Sequence, residues 1–252
     1  MNTQMEDNAV RFACNGCGAC CKGRLIPLTL SESKAWLQRG HDVAVLLEAF
    51  DESSWPDEPA RQAYNAGRAG SVSSGAASLK VIAILAGNAL SRCPNLDDQD
   101  QCGIYAERPL VCRIYPMEVN PFIELKPAQK GCPPEVWQTG EIIFTDHVVD
   151  PLLARQIDQS RSADREDATA KVALCESMGM TVAAWKDHAL AVYWPDRARL
   201  TEAIQRFEAG AAPSAPANWS VRVNDPALRQ RLHDTGAEVA IVDSIDYLFH
   251  VL

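Results

Sequence analysis

No stretch of this sequence is apolar for long enough to cross a bilayer. The most hydrophobic segment, Val81 to Leu90, has about half the needed length and ends in Asn88, Ala89 and Leu90. It is expected as a buried helix or strand, and no membrane partner is expected. A surplus of positive charge is missing too. Lys and Arg number 24 against 33 Asp and Glu, a formal charge of −9, and acids outnumber bases in both halves, so nucleic acid is not an expected partner. Met1 to Val10 lacks the basic-then-apolar order of a secretory leader, so the chain is expected to be cytoplasmic. No internal repeat occurs. The histidines His41, His147, His188, His233 and His250 are scattered without ligand spacing and suit ordinary surface or core roles; His147 is the one to revisit if a ligand is missing. Gly70-Ser71-Val72-Ser73-Ser74-Gly75 has the glycine spacing of a phosphate loop, but Ala76 and Ala77 stand where Lys and Ser/Thr are required, which excludes nucleotide binding there.

What the chain does have is cysteine, nine of them in 252 residues. A chain of this length with 47% hydrophobic residues buries a core without disulfide staples, and the cytosol keeps thiols reduced, so dense cysteine points to metal or redox chemistry. Cys14, Cys17, Cys20 and Cys21 form C-x2-C-x2-C-C, and Cys93, Cys102, Cys112 and Cys132 follow after a long gap. Two-residue spacers let a tight turn aim successive thiolates at one centre and leave backbone N–H groups free for the sulfurs, a device shared by zinc sites and iron-sulfur clusters. The C-x2-C-x2-C run resembles the first ligands of bacterial ferredoxins, and Cys93 and Cys132 each precede a proline, as the remote ferredoxin ligand does. Cys21 departs from that pattern. Adjacent residues do not readily aim both side chains at one point, so Cys20 and Cys21 are expected to serve different centres, or one is a spare thiol.

A site of four thiolates carries net negative charge, about −2 for zinc by simple counting, so nearby cations help. Lys22, Arg24, Arg92, Arg108, Arg113 and Lys130 all lie near a cysteine in sequence. Arg113, next to Cys112, is the best candidate to donate to a cluster sulfur or to lock a loop. Cys175, on an apolar helical stretch, reads as a core thiol. The spacing of Cys17 and Cys21 invites comparison with the C-x3-C-x2-C of radical enzymes, but Arg24 holds the third position. Trp185, Tyr193 and Trp194 read as packing residues.

The cysteine tract Phe12 to Arg24 is expected as a loop. A short helix with Ser31 as N-cap and Gly40 as C′ residue follows, then a strand-like alternation over His41, Val43, Val45 and Leu47. Asp51 to Ser78, rich in Ser, Pro, Gly and Ala, is expected as a flexible insertion. A short helix opened by Pro109 presents Cys112, Asn95 to Asp100 reads as a turn between Cys93 and Cys102, and Glu141 to Val149 looks β-rich. Pro151 opens helical periodicity over Leu152 to Ile157 and Glu166 to Trp185. Ala211 to Ala217 reads as a linker, and Val239, Ile241, Val242, Tyr247 and Phe249 as strand-like. The expected fold is α+β: a small, loop-rich cysteine-cluster domain with short helices and strands over residues 1–149, with 51–78 as an insertion, then a mainly helical C-terminal region over 150–252.

Cys93-Pro94-Asn95-Leu96, Cys102-Gly103-Ile104-Tyr105, Arg108-Pro109, Cys112-Arg113-Ile114-Tyr115-Pro116 and Cys132-Pro133, with the C-x2-C-x2-C-C start, together resemble the YkgJ-like cysteine-cluster family of zinc- or iron-chelating proteins over residues 12–134. The resemblance implies metal binding through the eight cysteines. A similar cluster occurs in flagellin lysine N-methylases, which implies a possible S-adenosylmethionine-dependent protein modification. Three readings stand at this point. The first is an iron-sulfur centre of [4Fe-4S] type serving electron transfer or redox sensing with a protein redox partner. The second is a structural zinc-binding interaction module. The third is a protein methyltransferase that uses the cluster.

Overall fold

The computed structural model describes residues 9–210, 217–240 and 245–252. Residues 1–8, the expected linker Ala211 to Ala217 except its last residue, and Ile241 and Val242 of the expected last strand lie outside them. The chain divides into two compact units. One takes the chain up to Ile26 together with Asn88–Ala163, the other Pro27–Gly87 with Asp164–Leu252.

In the second unit the core is the strand Val43–Phe50, buried along its whole length. A strand reads as a continuous apolar run, without polar alternation, when both of its faces are covered. It pairs antiparallel with Ala77–Ala89, from Val43 opposite Gly87 to Phe50 opposite Lys80. On its other side it pairs with Val182–Trp185 in parallel and Ala189–Tyr193 in antiparallel sense. Ser220–Arg222 and then Val239–Ala240 extend the sheet beyond Val182–Trp185 with parallel pairing. Leu248–Val251 lies antiparallel to Ala189–Tyr193.

Most of the expected helix and strand signals correspond to elements. The first helix is Leu30–Gln38, and its N-cap is Thr29, not Ser31: Thr29 accepts from Glu32 N while the Glu32 carboxylate accepts from Thr29 N, a reciprocal box that no pairing from Ser31 matches. Gly40 follows its end with φ 83°, as a C′ glycine does. Val81 to Leu90 lies mostly in the strand Ala77–Ala89.

Two expectations meet a different arrangement. Residues 51–78 hold the helix Pro59–Gly67 and the strand Gly70–Ser74. That strand folds back on Ala77–Ala89 through Gly75, whose φ of 55° and close approach to Gly236 O exclude a side chain. Its Ser and Gly residues made it look like a loop, yet Val72 is buried. The region after residue 150 is a mixture and not mainly helical. Among the described residues it holds the helices Pro151–Glu166, Ala168–Ser177, Arg197–Glu208 and Pro226–Asp234, but also five short strands of the sheet.

The first unit has little regular structure. Its strands Val10–Arg11 and Ile142–Phe144 pair antiparallel. One buried cluster in it consists of Ile114, Ile143, Leu153 and Ile157, with Phe12, Met117, Leu125 and others packed against it, and Ile26, Ala89, Leu96 and Val136 are buried as well. Apart from Cys112 on the short helix Leu110–Ile114 and Cys20 and Cys21 on one turn of 3-10 helix, the cysteines of this unit lie on turn and loop.

Candidate metal centre

The N-terminal cysteines sit on a tract whose path is set by glycines. Gly16 and Gly18 have φ of 74° and 67°, and a Cβ on Gly18 would meet Asp100 O at 2.6 Å, so only glycine fits there. A turn of 3-10 helix, Ala19–Cys21, follows and brings the Sγ atoms of Cys20 and Cys21 to 4.0 Å. Cys93 N donates to Cys21 O at 2.7 Å, which docks the second cysteine segment on the first. Between Cys93 and Cys102 the chain turns as its Asn/Asp content predicts: Asp97 Oδ1 accepts from Gln99 N and Gln101 N, and Leu96 bridges to Cys102. Lys22 and Arg92 both bind the Asp100 carboxylate, at 2.7 and 3.0 Å, and hold it below the usual carboxylate range. Asn95 Nδ2 lies 3.9 Å from Cys93 Sγ as a donor.

The helix Leu110–Ile114 begins after Pro109 and carries Cys112, while the wholly buried Ile114 roots it in the small core. Arg113 is exposed, and its guanidinium donates to Arg108 O at 2.6 Å and Ala106 O at 3.5 Å. It braces the loop before the helix. Cys132 Sγ–H donates to Tyr115 Oη at 3.5 Å; with the thiol ionised, the hydroxyl can turn and donate to sulfur. Ala13 N donates to Val136 O at 2.9 Å, so the chain just after Cys132 runs beside the chain just before Cys14.

The thiols perturb one another. The hydrogen bond with Cys21 is the main cause that pulls Cys20 down to about 6, against the effect of burial and with help from the Arg24 and Arg108 guanidinium charges. The same bond, with burial, pushes Cys21 up, and the nearby Cys93 and Cys112 add to this. The pair therefore loses its first proton readily and resists the second. Burial pushes Cys112 up to about 12, with Cys93, Cys20 and Cys102 adding to it. Burial also raises Cys93 and Cys132, the latter within reach of Cys20, Cys17 and Cys14.

Of the six cations near the cysteines in sequence, Lys22 and Arg92 are taken by Asp100 and Lys130 by Glu118 at 2.5 Å. Arg24 and Arg108 face the thiols. Arg24 Nε is buried without a hydrogen-bond partner, and its guanidinium lies 5.7 Å from the Tyr115 ring. Arg24 and Tyr115 thus matter more here than their sequence positions suggest. The C-R-I-Y-P motif was the available signal for Tyr115. His147 binds Asp146 at 2.5 Å and lines an open groove of about 720 Å³ with Met117, Phe144 and Arg161. Cys175 is fully buried in the helix Ala168–Ser177 of the other unit.

All eight remaining cysteines belong to one unit. Soft thiolate donors suit zinc or iron-sulfur chemistry. Among the described residues, however, no three His, Cys, Asp or Glu side chains meet in a geometry that would itself hold a metal ion. The donor set fits such a centre in kind, in an open arrangement.

Residues 13–133 match the family model CxxCxxCC, described as "Putative zinc- or iron-chelating domain". No curated protein matches, and no solved structure does. Just under half of the chain is thus similar to a domain described as zinc- or iron-chelating.

Proposed function

We propose that this CxxCxxCC domain holds an iron-sulfur centre, of [4Fe-4S] type, on thiolates drawn from Cys14, Cys17, Cys20, Cys21, Cys93, Cys102, Cys112 and Cys132, and serves electron transfer or redox sensing with a protein partner in the reducing cytosol. The observation behind this reading is the Cys20–Cys21 pair: two thiols 4.0 Å apart, one of them poised to ionise beside Arg24 and Arg108. A bound cluster of this kind takes up or gives up one electron. The residues around it would set how easily. Tyr115 supplies a hydroxyl to Cys132, Asn95 an amide to Cys93, and Arg24 a buried guanidinium that offsets thiolate charge. Six of the eight cysteines are half-buried and Cys14 is exposed, which suits electron exchange at a protein surface better than a closed structural site.

A second reading is favoured by a different observation. The first unit buries few apolar residues for its length, the cluster Ile114, Ile143, Leu153 and Ile157 among them, and a metal often supplies the folding free energy that such a core lacks. Zinc would do this without redox chemistry. Either way, binding draws the open thiol loops together.

Anaerobic purification followed by iron, zinc and acid-labile sulfide analysis separates the two. Iron and sulfide in near-equal amounts, with a broad absorbance band that bleaches on reduction, is the expected result. Zinc without sulfide or colour would replace the first reading with the second, and folded protein with neither metal would end both.

A further inference from the structure

We infer that Tyr105, Arg108 and Arg113 form a docking surface, beside the cysteine loops, for a carboxylate-bearing segment of a partner protein. The surface rests on the redox reading above for its purpose but not for its chemistry.

Local rules build it. Tyr105–Glu107 is a single turn of 3-10 helix, in which side chains three apart eclipse, so Arg108 at the turn's end falls beside Tyr105. The Arg108 guanidinium accordingly lies 3.7 Å from the centre of the Tyr105 ring, a cation–π contact, and its Nε donates to Tyr105 O at 3.1 Å. Pro109 keeps Arg108 extended, with φ −55° and ψ 144°, and leads into the helix that carries Arg113. Arg113 reaches back to Arg108 O and Ala106 O, which ties the two arginines into one piece.

No carboxylate neutralises the pair. Among the described residues neither Arg108 nor Arg113 meets an acid, and their hydrogen bonds go to backbone carbonyls alone; the neighbouring Lys22, Arg92 and Lys130 are each taken by an acid. Even with Glu107 counted, the patch is positive within a chain of formal charge −9. Each guanidinium spends its Nε on the backbone, and both Nη groups of Arg108 are left over. A guanidinium held this way is prepared for the paired N–H bonds that a carboxylate accepts.

Tyr105 is 53% exposed, and Tyr and Arg recur among the residues that carry binding energy at protein interfaces. Two guanidinium groups are few for nucleic acid, which is held by about 6–10 phosphate contacts, and a small anion would leave the Tyr105 ring uncovered. A protein segment covers ring and charge together. Cys102 precedes Tyr105 on the same segment and Cys112 adjoins Arg113, while Arg108 is within reach of the Cys20 and Cys112 thiols. A segment seated here therefore comes up against the cysteine loops.

The test is fluorescence anisotropy of a labelled peptide, Asp-Glu-Phe-Glu-Asp, titrated at low salt with the full chain purified without oxygen. The chain's overall charge repels such a peptide, so binding reports a local positive surface. Binding should weaken as salt rises, vanish when Asn and Gln replace the acids of the peptide, and fall about 10-fold or more in Tyr105→Ala and in Arg113→Gln, with circular dichroism and metal content unchanged. Arg155→Gln, at an exposed arginine elsewhere in the same unit, should bind as wild type does. No binding at low salt, an equal loss in Arg155→Gln, or binding of an oligothymidylate in place of the peptide would overturn the surface and leave the metal-binding reading untouched. Peptide binding by a folded chain that holds neither iron nor zinc would keep the surface and remove its redox purpose.

Discussion

At the scale of single residues, Tyr115 is the side chain whose role is easiest to isolate. Its ring is fixed by Phe12 edge-on at 6.2 Å and by the Arg24 and Lys130 cations, so Tyr115→Phe removes a hydroxyl and little else. Loss of that hydrogen bond to Cys132 should weaken metal retention against a chelator by about 10- to 100-fold, measured by competition titration, with the circular dichroism unchanged. Cys175 is the opposite case. Burial pushes its thiol from 9.0 up to about 12, so the folded chain keeps it protonated. Because the folded value lies above the unfolded one, its contribution to stability is complete below pH 9 and declines as pH rises towards 12. Alkylation at pH 8 should therefore leave Cys175 unmodified in folded protein and label it once the chain is denatured, as peptide mass mapping would show. The run Cys14 to Cys21 was legible because its spacing is local; that Cys93 to Cys132 share its unit was legible through the motifs around them. Arg24 was legible only as one of six cations near a cysteine and Tyr115 only as part of C-R-I-Y-P, since their contact joins segments about 90 residues apart in the sequence, and spacing carries no record of such contacts.

At the scale of elements, what was legible depended on whether the signal was local. The helix Leu30–Gln38 and the helix after Pro109 were expected because caps and prolines act within a few residues. The strand Val182–Trp185 was expected to be helical, because its Val and Ala residues also satisfy helical spacing; the interruption was there to be seen in Gly179, with φ 75°, which ends the preceding helix. Its identity as a strand comes from parallel pairing with Ser220–Arg222, a contact far away in sequence. One position in the sheet offers a direct test of packing. Gly87 lies under Trp36, and a Cβ there would come within 2.5 Å of the Trp36 ring, which is itself 2% exposed. Gly87→Ala should cost about 1–3 kcal/mol, read as a lower urea midpoint with an unchanged slope.

At the scale of the whole molecule, the two units differ in what holds them together. One has a many-stranded sheet with a continuous apolar core; the other has a small aliphatic cluster, a few further buried residues and cysteine-bearing loops. Chelation of the metal should accordingly raise hydrogen exchange across 13–26 and 93–133 by an order of magnitude or more, while the amides of Val43–Phe50 keep their protection. Uniform exchange in both units after chelation would show instead that the metal supports the fold as a whole. The cysteine unit is also discontinuous, with Cys14 to Cys21 on one side of an intervening stretch and Cys93 to Cys132 on the other. On a ribosome adding about 5–20 residues per second, Cys14 waits on the order of ten seconds for Cys132. Cys93 emerges before Cys132, so the tract synthesised first meets its partner segments in stages, Cys93 docking on Cys21 before the chain around Cys132 can lie beside Cys14. Through that interval the nascent chain displays the thiols of Cys14 to Cys21 without the later segments that belong to the same unit.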